Sequence, residues 1–139
     1  MHTQLIMKKL FLCGIAVVAG LNSAIAGAGD VYVIAHPSVN MDDERELREV
    51  YLGEKQFFGS LKLVPVENMV AQMDFLEKVI SMRPDKYAAL WVKKSFRGDA
   101  TLPSTKSSDA DVIKFVKNTP GAIGYVSTPK HGVKELFQY

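Results

Sequence analysis

Residues 119–126 read TPGAIGYV, a turn followed by a short apolar strand. Proline suits the first central position of a tight turn, and the glycine after it suits the positive dihedral of the second. The strand that follows, Ala122–Val126, contains Gly124, which we expect to allow close packing against its backbone. Upstream, Ser108 and Asp111 form a capping-box pattern that predicts the start of a helix. This part of the chain therefore predicts a helix, a turn and a strand in succession.

The same alternation continues on both sides. Val31–Ala35 is an apolar, β-branched run, typical of a strand that is buried on both faces as in a parallel sheet. A second strand is predicted from Leu61 to about Val66, and Pro65 indicates that it ends there or lies on an edge. Val133–Phe137 predicts the last strand. Strands that alternate with helices predict an α/β fold in three layers, with a mainly parallel sheet and helices on both faces.

Three further helices are predicted from caps and from apolar spacing. Asp43 begins the first, with Glu46 three residues later to complete a capping box, and Gly53 ends it. The residues that define the other two are Met73, Leu76 and Ile80 in one, and Tyr87, Leu90 and Trp91, before Gly98, in the other. We expect Tyr87 and Trp91 to lie in the core.

The N-terminus predicts a secretory signal peptide over residues 1–26. Lys8 and Lys9 precede the uncharged apolar run Leu10–Gly20, and Ala24-Ile25-Ala26 offers the small residues that signal peptidase requires. The run is shorter than the roughly 20 residues needed to span a bilayer, so no membrane span is expected after cleavage. Residues 27–139 are then a single domain, soluble and periplasmic, and either Met1 or Met7 is a natural start.

Removal of this segment changes the composition. The 17 basic residues lose Lys8 and Lys9, which leaves 15 against 15 acidic residues. A neutral domain gives no reason to expect a nucleic acid or an anionic membrane as partner. The one cysteine, Cys13, also leaves, which excludes disulfides and thiolate catalysis. His36 and His131 have no partners at metal-ligand spacing, so no metal, no cofactor and no enzymatic activity are expected.

Four segments, in chain order, resemble the substrate-binding proteins of phosphate ABC transporters. They are Glu46–Gly53, similar to E-L-x-x-I-F-L-G; Val64–Val66 with the later Phe75; Trp91 with Phe96–Gly98, similar to W…F-x-G; and Asn118–Val126, similar to N-x-P-G-A-I-G-Y-V. The resemblance covers nearly all of residues 27–139. It implies the fold of one lobe of a type II periplasmic binding protein, whereas full-length members of the family have two lobes.

The resemblance does not extend to the family's phosphate ligands. Between the proline-containing strand and the phenylalanine-bearing helix, the family has an arginine followed by Ser-Gly-Thr. The corresponding residues here, 67–74, read ENMVAQMD. No phosphate ligand carries over, and the carboxylates of Glu67 and Asp74 would weaken an anion site.

Polar residues in the loops beyond three predicted strands are the candidate ligand-binding residues. In open α/β sheets, ligands bind beyond the carboxyl ends of the strands. The candidates are Ser38, Asn40, Asn68, Gln72, Ser127 and Thr128. The alternative is that these residues cap helices and close turns, as their types commonly do.

We therefore expect an exported periplasmic protein that binds a small polar solute or anion. Binding would be weak, or would need a partner that closes the site, such as an envelope transporter, a sensor or a second copy. The alternative is an interaction module of the cell envelope that keeps the fold and has lost ligand binding.

Overall fold

The computed structural model describes residues 29–128 and 132–139. The predicted signal peptide therefore lies outside the described residues, as does His131. Strands and helices are interspersed along the described part. The elements are β1 (Tyr32–Ala35), α1 (Glu44–Tyr51), β2 (Phe57–Phe58), β3 (Leu61–Lys62), β4 (Val64–Asn68), α2 (Gln72–Phe75) with the π-helical segment Leu76–Ile80 that continues it, α3 (Pro84–Arg97), β5 (Ser104–Lys106), α4 (Asp109–Asn118), β6 (Ala122–Val126) and β7 (Lys134–Gln138). None of the helices within these ranges is long and apolar enough to cross a membrane.

The main sheet has the strand order β5-β4-β6-β1-β7. Strand β4 runs parallel to β5 and to β6, while β1 runs antiparallel to β6 and to β7. Four of the five strands therefore point the same way, and helices cover both faces of the sheet. The predicted fold class is confirmed.

Strand β1 runs in the direction opposite to the one predicted. Val33, Ile34 and Ala35 are buried, as the apolar run indicates. Burial on both faces is independent of strand direction, however, and β1 is antiparallel to both of its neighbours. The loop after β1 therefore emerges at the opposite end of the sheet from the loops after β4 and β6.

The core is divided between the two faces of the sheet. On one face α1, α2 with its π-helical continuation, and α3 enclose an aromatic cluster. In this cluster Phe75 stacks on Tyr125 with ring centroids 3.9 Å apart, and Tyr51 meets Phe75 edge-on at 4.7 Å. On the other face α4 packs Val112 and Val116 against the sheet.

Gly124 permits the close approach of α4, as predicted. A Cβ atom at this position would lie 2.6 Å from Cγ1 of Val112 and 3.1 Å from Cγ2 of Val66. Carbon atoms in proteins do not approach so closely, so any side chain here would push α4 away from β6.

The helix ends follow the sequence signals closely. The Asp43 carboxylate caps α1, although it accepts from the backbone N–H of Arg45, at 2.8 Å, rather than from Glu46. Ser108 caps α4 by accepting from the N–H of Asp111 at 3.2 Å. Gly98 ends α3 with φ of 73°, in the left-handed region that glycine tolerates best.

The strand predicted from Leu61 to Val66 is two strands. The first residues form a hairpin of β2 with β3, and β4 then continues to Asn68 between β5 and β6. Pro65 therefore lies in an interior strand, contrary to the prediction. Val64 donates its N–H toward β6, to the carbonyl of Gly121. The nitrogen of Pro65 faces the other side, where pairing with β5 begins only at Val66.

Met73 does not share a buried face with Leu76 and Ile80. Its exposed fraction is 68 %, whereas Leu76 and Ile80 are buried. The backbone changes from α-helical to π-helical at Leu76. The wider π turn changes the residue spacing from that of a regular α-helix, on which the prediction depended.

Candidate functional site

Two of the six candidate residues, Ser38 and Asn40, lie at the opposite end of the sheet from the loops after β4 and β6. The Ser38 hydroxyl accepts from the N–H of Gly121, at 3.0 Å, just before β6 begins. Asn40 Oδ1 accepts from Nζ of Lys134, at 2.6 Å, where β7 begins. The expectation that all the candidates gather at the carboxyl ends of the strands is therefore wrong, because β1 is antiparallel.

Ser38 also takes part in a tight turn with His36. Its hydroxyl lies 2.7 Å from Nδ1 of His36, and its backbone N–H donates to the same nitrogen at 3.1 Å. Through these contacts the side chains of His36 and Ser38 stabilise the turn. Ser38 therefore fits the alternative interpretation, in which the candidate residues close turns and cap helices.

Asn68 and Ser127 do meet at the carboxyl ends of β4 and β6, and Asp109 joins them. The amide Nδ2 of Asn68 donates to Asp109 Oδ1 at 2.7 Å, and the Ser127 hydroxyl donates to Asp109 Oδ2 at 2.7 Å. Asn68 also donates to the carbonyl of Tyr125 and accepts from the N–H of Val70. Thr128, the next residue after Ser127, is exposed. The polar groups at this edge are bonded to one another.

Asp109 was not among the candidates, and its role follows from its place as the first residue of α4. A carboxylate is favoured at a helix N-terminus, where backbone N–H groups and the helix dipole attract negative charge. In this chain the protein's own carboxylate occupies the end of α4. A solute anion at this edge of the sheet would meet that negative charge.

A second polar cluster is buried around Glu67 of β4. The Glu67 side chain is 3 % exposed, and its two carboxylate oxygens accept from two tyrosines. Tyr87 of α3 donates to Oε1 at 2.5 Å, and Tyr125 of β6 donates to Oε2. The Tyr51 ring packs beside this pair and donates its own hydroxyl to backbone carbonyls.

Burial dominates the electrostatics of this cluster. It raises the pKa of the Glu67 carboxyl, while the hydroxyls of Tyr125 and Tyr87 and the side chain of Gln72 oppose that rise by favouring the charged form. Burial and the adjacent carboxylate also raise the pKa of Tyr125 and of Tyr87. Both hydroxyls therefore keep their protons and remain donors.

The basic side chains that the structure describes do not pair with the carboxylate of Glu67. Among residues 29–128 and 132–139, no lysine, arginine or histidine nitrogen lies within 4.0 Å of its carboxylate. The same residues contain no group of three or more histidine, cysteine, aspartate or glutamate side chains that could hold a metal ion. Glu67 is therefore a buried acid whose partners are neutral donors.

Glu67 and Gln72 form the polar part of a cavity of about 620 Å³ between α3 and the β4–β5 side of the sheet. This volume falls within the range typical of small-molecule sites. We call it the Glu67 cavity. Its lining residues are Glu67, Gln72, Leu76, Pro84, Tyr87, Ala88, Trp91, Val92, Ser95, Phe96, Leu102, Pro103 and Thr105. Gln72, a candidate for the sheet edge, lies here instead.

The mouth of the Glu67 cavity is apolar and open to solvent. Phe96 is 93 % exposed, Val92 70 % and Leu102 59 %. Tyr87 and Trp91 are buried, as predicted, and they also contribute to the cavity wall. The cavity thus combines an apolar entrance and aromatic walls with a single buried carboxylate.

Comparison with known proteins gives a likeness of fold. No family model matches the sequence, and no curated protein matches it. The structure is similar to the crystal structure of an ABC-type phosphate transport receptor from Vibrio cholerae, with a TM-score of 0.50 and 12 % sequence identity. The match covers 78 % of this chain and 46 % of the receptor, so this chain spans about half of the receptor's length. The likeness shows a binding-protein-like fold, with a mostly parallel sheet flanked by helices.

Proposed function

We propose that this chain is an exported binding module that holds a small solute in the Glu67 cavity. The single observation that carries the proposal is a cavity of about 620 Å³ with an apolar mouth and one buried, hydrogen-bonded carboxylate. Sites for small molecules have this composition: mostly apolar walls with a few placed polar groups. The similarity to a phosphate transport receptor supports a binding role for the fold.

The place of action that we propose is the periplasm. The support comes from the signal-peptide pattern of residues 1–26 and from the resemblance of four later segments to periplasmic binding proteins. The role that we propose is binding rather than catalysis, in line with the receptor whose fold this chain resembles.

Phosphate is a poor candidate for the solute. At the carboxyl ends of the strands, an anion would meet Asp109, which already holds Asn68 and Ser127. In the Glu67 cavity it would meet a carboxylate that lacks a basic neighbour. Both positions oppose negative charge, since like charges at short range destabilise each other.

A second function, docking of a partner protein, is favoured by the exposed residues at the cavity mouth. A phenylalanine that is 93 % exposed, as Phe96 is, contributes apolar area that another protein surface would cover. Such a partner, an envelope transporter or sensor, would also close the cavity over a weakly held solute.

Thermal melting tests the proposal. The protein purified from cells that express the full chain is melted with millimolar phosphate, sulfate and a panel of small aromatic and aliphatic solutes of each charge. A ligand at a hundred times its dissociation constant stabilises a fold by about 2.7 kcal/mol, which is a measurable shift.

Two matched variants locate any binding. Ala88→Trp places a large ring in the Glu67 cavity from an exposed position of α3. Ala89→Trp adds the same ring outside the cavity, about 100° further round that helix, beside Lys86 and Lys93. We expect Ala88→Trp to abolish the solute-dependent shift and Ala89→Trp to keep it. If no solute shifts the natural protein, solute binding is wrong and partner docking becomes the better explanation.

A further inference from the structure

We propose that the Glu67 cavity selects an organic cation: a small ammonium compound with an apolar, preferably aromatic, body. The inference rests on the proposed function and names the solute class for the same cavity. It follows from three features of the described residues, namely the charge of the cavity floor, the partners of that charge and the nature of the walls.

Glu67 is a buried carboxyl group in the lining of the cavity, and no basic side chain among residues 29–128 and 132–139 pairs with it. Glu67 is 3 % exposed, and the groups that face it are the hydroxyls of Tyr87 and Tyr125 together with Gln72. These groups donate hydrogen bonds without contributing positive charge. Burial raises the pKa of this carboxyl, and a cation bound beside it would favour the charged form, so a cation is the complement that suits the cavity.

The carboxylate has acceptor capacity beyond its internal hydrogen bonds. Each of its oxygens accepts from one tyrosine, Gln72 is a further partner, and a carboxylate offers about four lone-pair positions. Glu67 is also part of the cavity lining, together with Leu76 and Ala88. An ammonium group has three donors, and one N–H bonded to Glu67 would be a charge-assisted hydrogen bond, stronger than a neutral one.

The walls suit the rest of such a solute. Tyr87 and Trp91 line the cavity, and aromatic rings attract cations as well as apolar groups. Toward the mouth, Val92, Phe96 and Leu102 offer apolar surface for the body of the molecule. A small anion would gain neither the aromatic contact nor the hydrogen bond to the carboxylate. A neutral solute would not supply a charged partner for Glu67.

Three probes with the same aromatic body and similar size test the charge preference. 2-Phenylethylamine, 2-phenylethanol and phenylacetate differ in the charge of the head group at neutral pH: positive, zero and negative. Calorimetric titration of the natural protein should give an affinity for the amine at least about tenfold above that of the alcohol, with no detectable binding of the acid.

Substitution of the carboxylate tests its role. Glu67→Gln keeps the shape of the side chain and removes its charge, and it should lower the affinity for the amine to that for the alcohol. Glu77→Gln removes an exposed carboxylate outside the cavity and should leave both affinities unchanged. If Glu67→Gln does not fold, Ala88→Trp replaces it: the amine must then lose its binding in that variant.

Each contrary result has a distinct meaning. Equal or tighter binding of the alcohol or the acid overturns the cation preference, while solute binding stands if Ala88→Trp blocks it. Amine selectivity that survives in Glu67→Gln overturns the role of this carboxylate. If none of the three probes binds, the cation inference is wrong. The proposed function falls only if the wider melting panel also shows no shift that Ala88→Trp removes.

Discussion

Replacement of Tyr87 by phenylalanine should destabilise the fold in a manner that depends on pH. The substitution keeps the ring in the core and removes the hydroxyl that donates to Glu67 Oε1 at 2.5 Å. The same hydroxyl lies 3.1 Å from the carbonyl of Tyr51, but that carbonyl also accepts from Nε1 of Trp91 at 3.1 Å. Glu67 is therefore the group that loses a partner.

The size of the effect follows from the charge of that partner. A hydrogen bond to a charged group contributes about 1.5–3 kcal/mol, and a neutral one about 0.5–1.5 kcal/mol. Near pH 7.5 we expect Tyr87→Phe to lose about 2 kcal/mol of unfolding free energy. With a urea slope of about 2 kcal/mol per molar, the midpoint falls by roughly 1 M.

The sign of the pH dependence follows from the pKa of Glu67. The Tyr87 hydroxyl favours the charged carboxylate and so lowers this pKa, although burial raises it overall. The stabilisation by the hydroxyl is therefore fully present above the higher pKa that Glu67 has in Tyr87→Phe. It declines as the pH falls from that pKa to the folded-state pKa of the natural protein. Near pH 4.5, the ordinary pKa of glutamate, the loss in Tyr87→Phe should shrink to about 1 kcal/mol.

Urea unfolding at the two pH values measures both quantities, with Tyr32→Phe as the control. The Tyr32 hydroxyl makes an exposed contact of 3.4 Å with Asp30, so its removal should change stability by less than about 0.5 kcal/mol. A loss in Tyr87→Phe that is equal at both pH values, or no larger than in the control, would refute the assignment of a charged, tyrosine-supported Glu67.

Three further predictions concern the fold and the export of the chain. Gly124→Ala should cost about 1–3 kcal/mol, seen as a lower urea midpoint, because its Cβ would lie 2.6 Å from Cγ1 of Val112; an unchanged midpoint would contradict the packing. Asp109→Asn removes an acceptor at the sheet edge and should cost about 1–3 kcal/mol in the same assay, against less than about 1 kcal/mol for Asp85→Asn in an exposed ion pair. The periplasmic protein should have the mass of residues 27–139, and a mass that still includes Cys13 would contradict signal cleavage.

The sequence is informative at several positions where the signal is local. The cap at Ser108, the end of α3 at Gly98 and the strand Ala122–Val126 all depend on residues within a few positions of one another, and the structure has each of them. The α/β class follows from the order of such elements. These features could be predicted because a cap, a turn or a buried strand acts through its neighbours in the chain.

The direction of β1 could not be predicted, and the error carried over to the candidate site. A strand buried on both faces has the same apolar pattern in a parallel and in an antiparallel neighbourhood. Since β1 runs antiparallel, Ser38 and Asn40 lie at the other end of the sheet from Asn68 and Ser127. A parallel β1 would have placed Ser38 and Asn40 beside the other candidate residues, and the antiparallel β1 places them at the opposite end of the sheet.

The burial of Glu67 was also beyond the reach of sequence patterns. Its partners Tyr87 and Tyr125 lie 20 and 58 residues further along the chain, on α3 and β6. Tyr87 and Trp91 were predicted as core residues, which is correct, but apolar spacing cannot show that a carboxylate packs against them. Only the tertiary arrangement reveals that the acid lies in a cavity rather than on a loop.

Glu67 of β4 and Asp109 of α4 are both at least half-buried, but the groups that stabilise their charges differ. This difference supports a cationic solute. Asp109 stands at the N-terminus of α4, where the helix dipole and the N–H of Ser127 favour its charge. Its charge is complemented within the fold. Within the described part of the chain, the groups that bond to Glu67 are neutral donors, in a cavity that opens to solvent. In the unliganded protein, the charged form of Glu67 is costly because it is buried. A bound cation would offset that cost, and the free energy gained would contribute to its affinity.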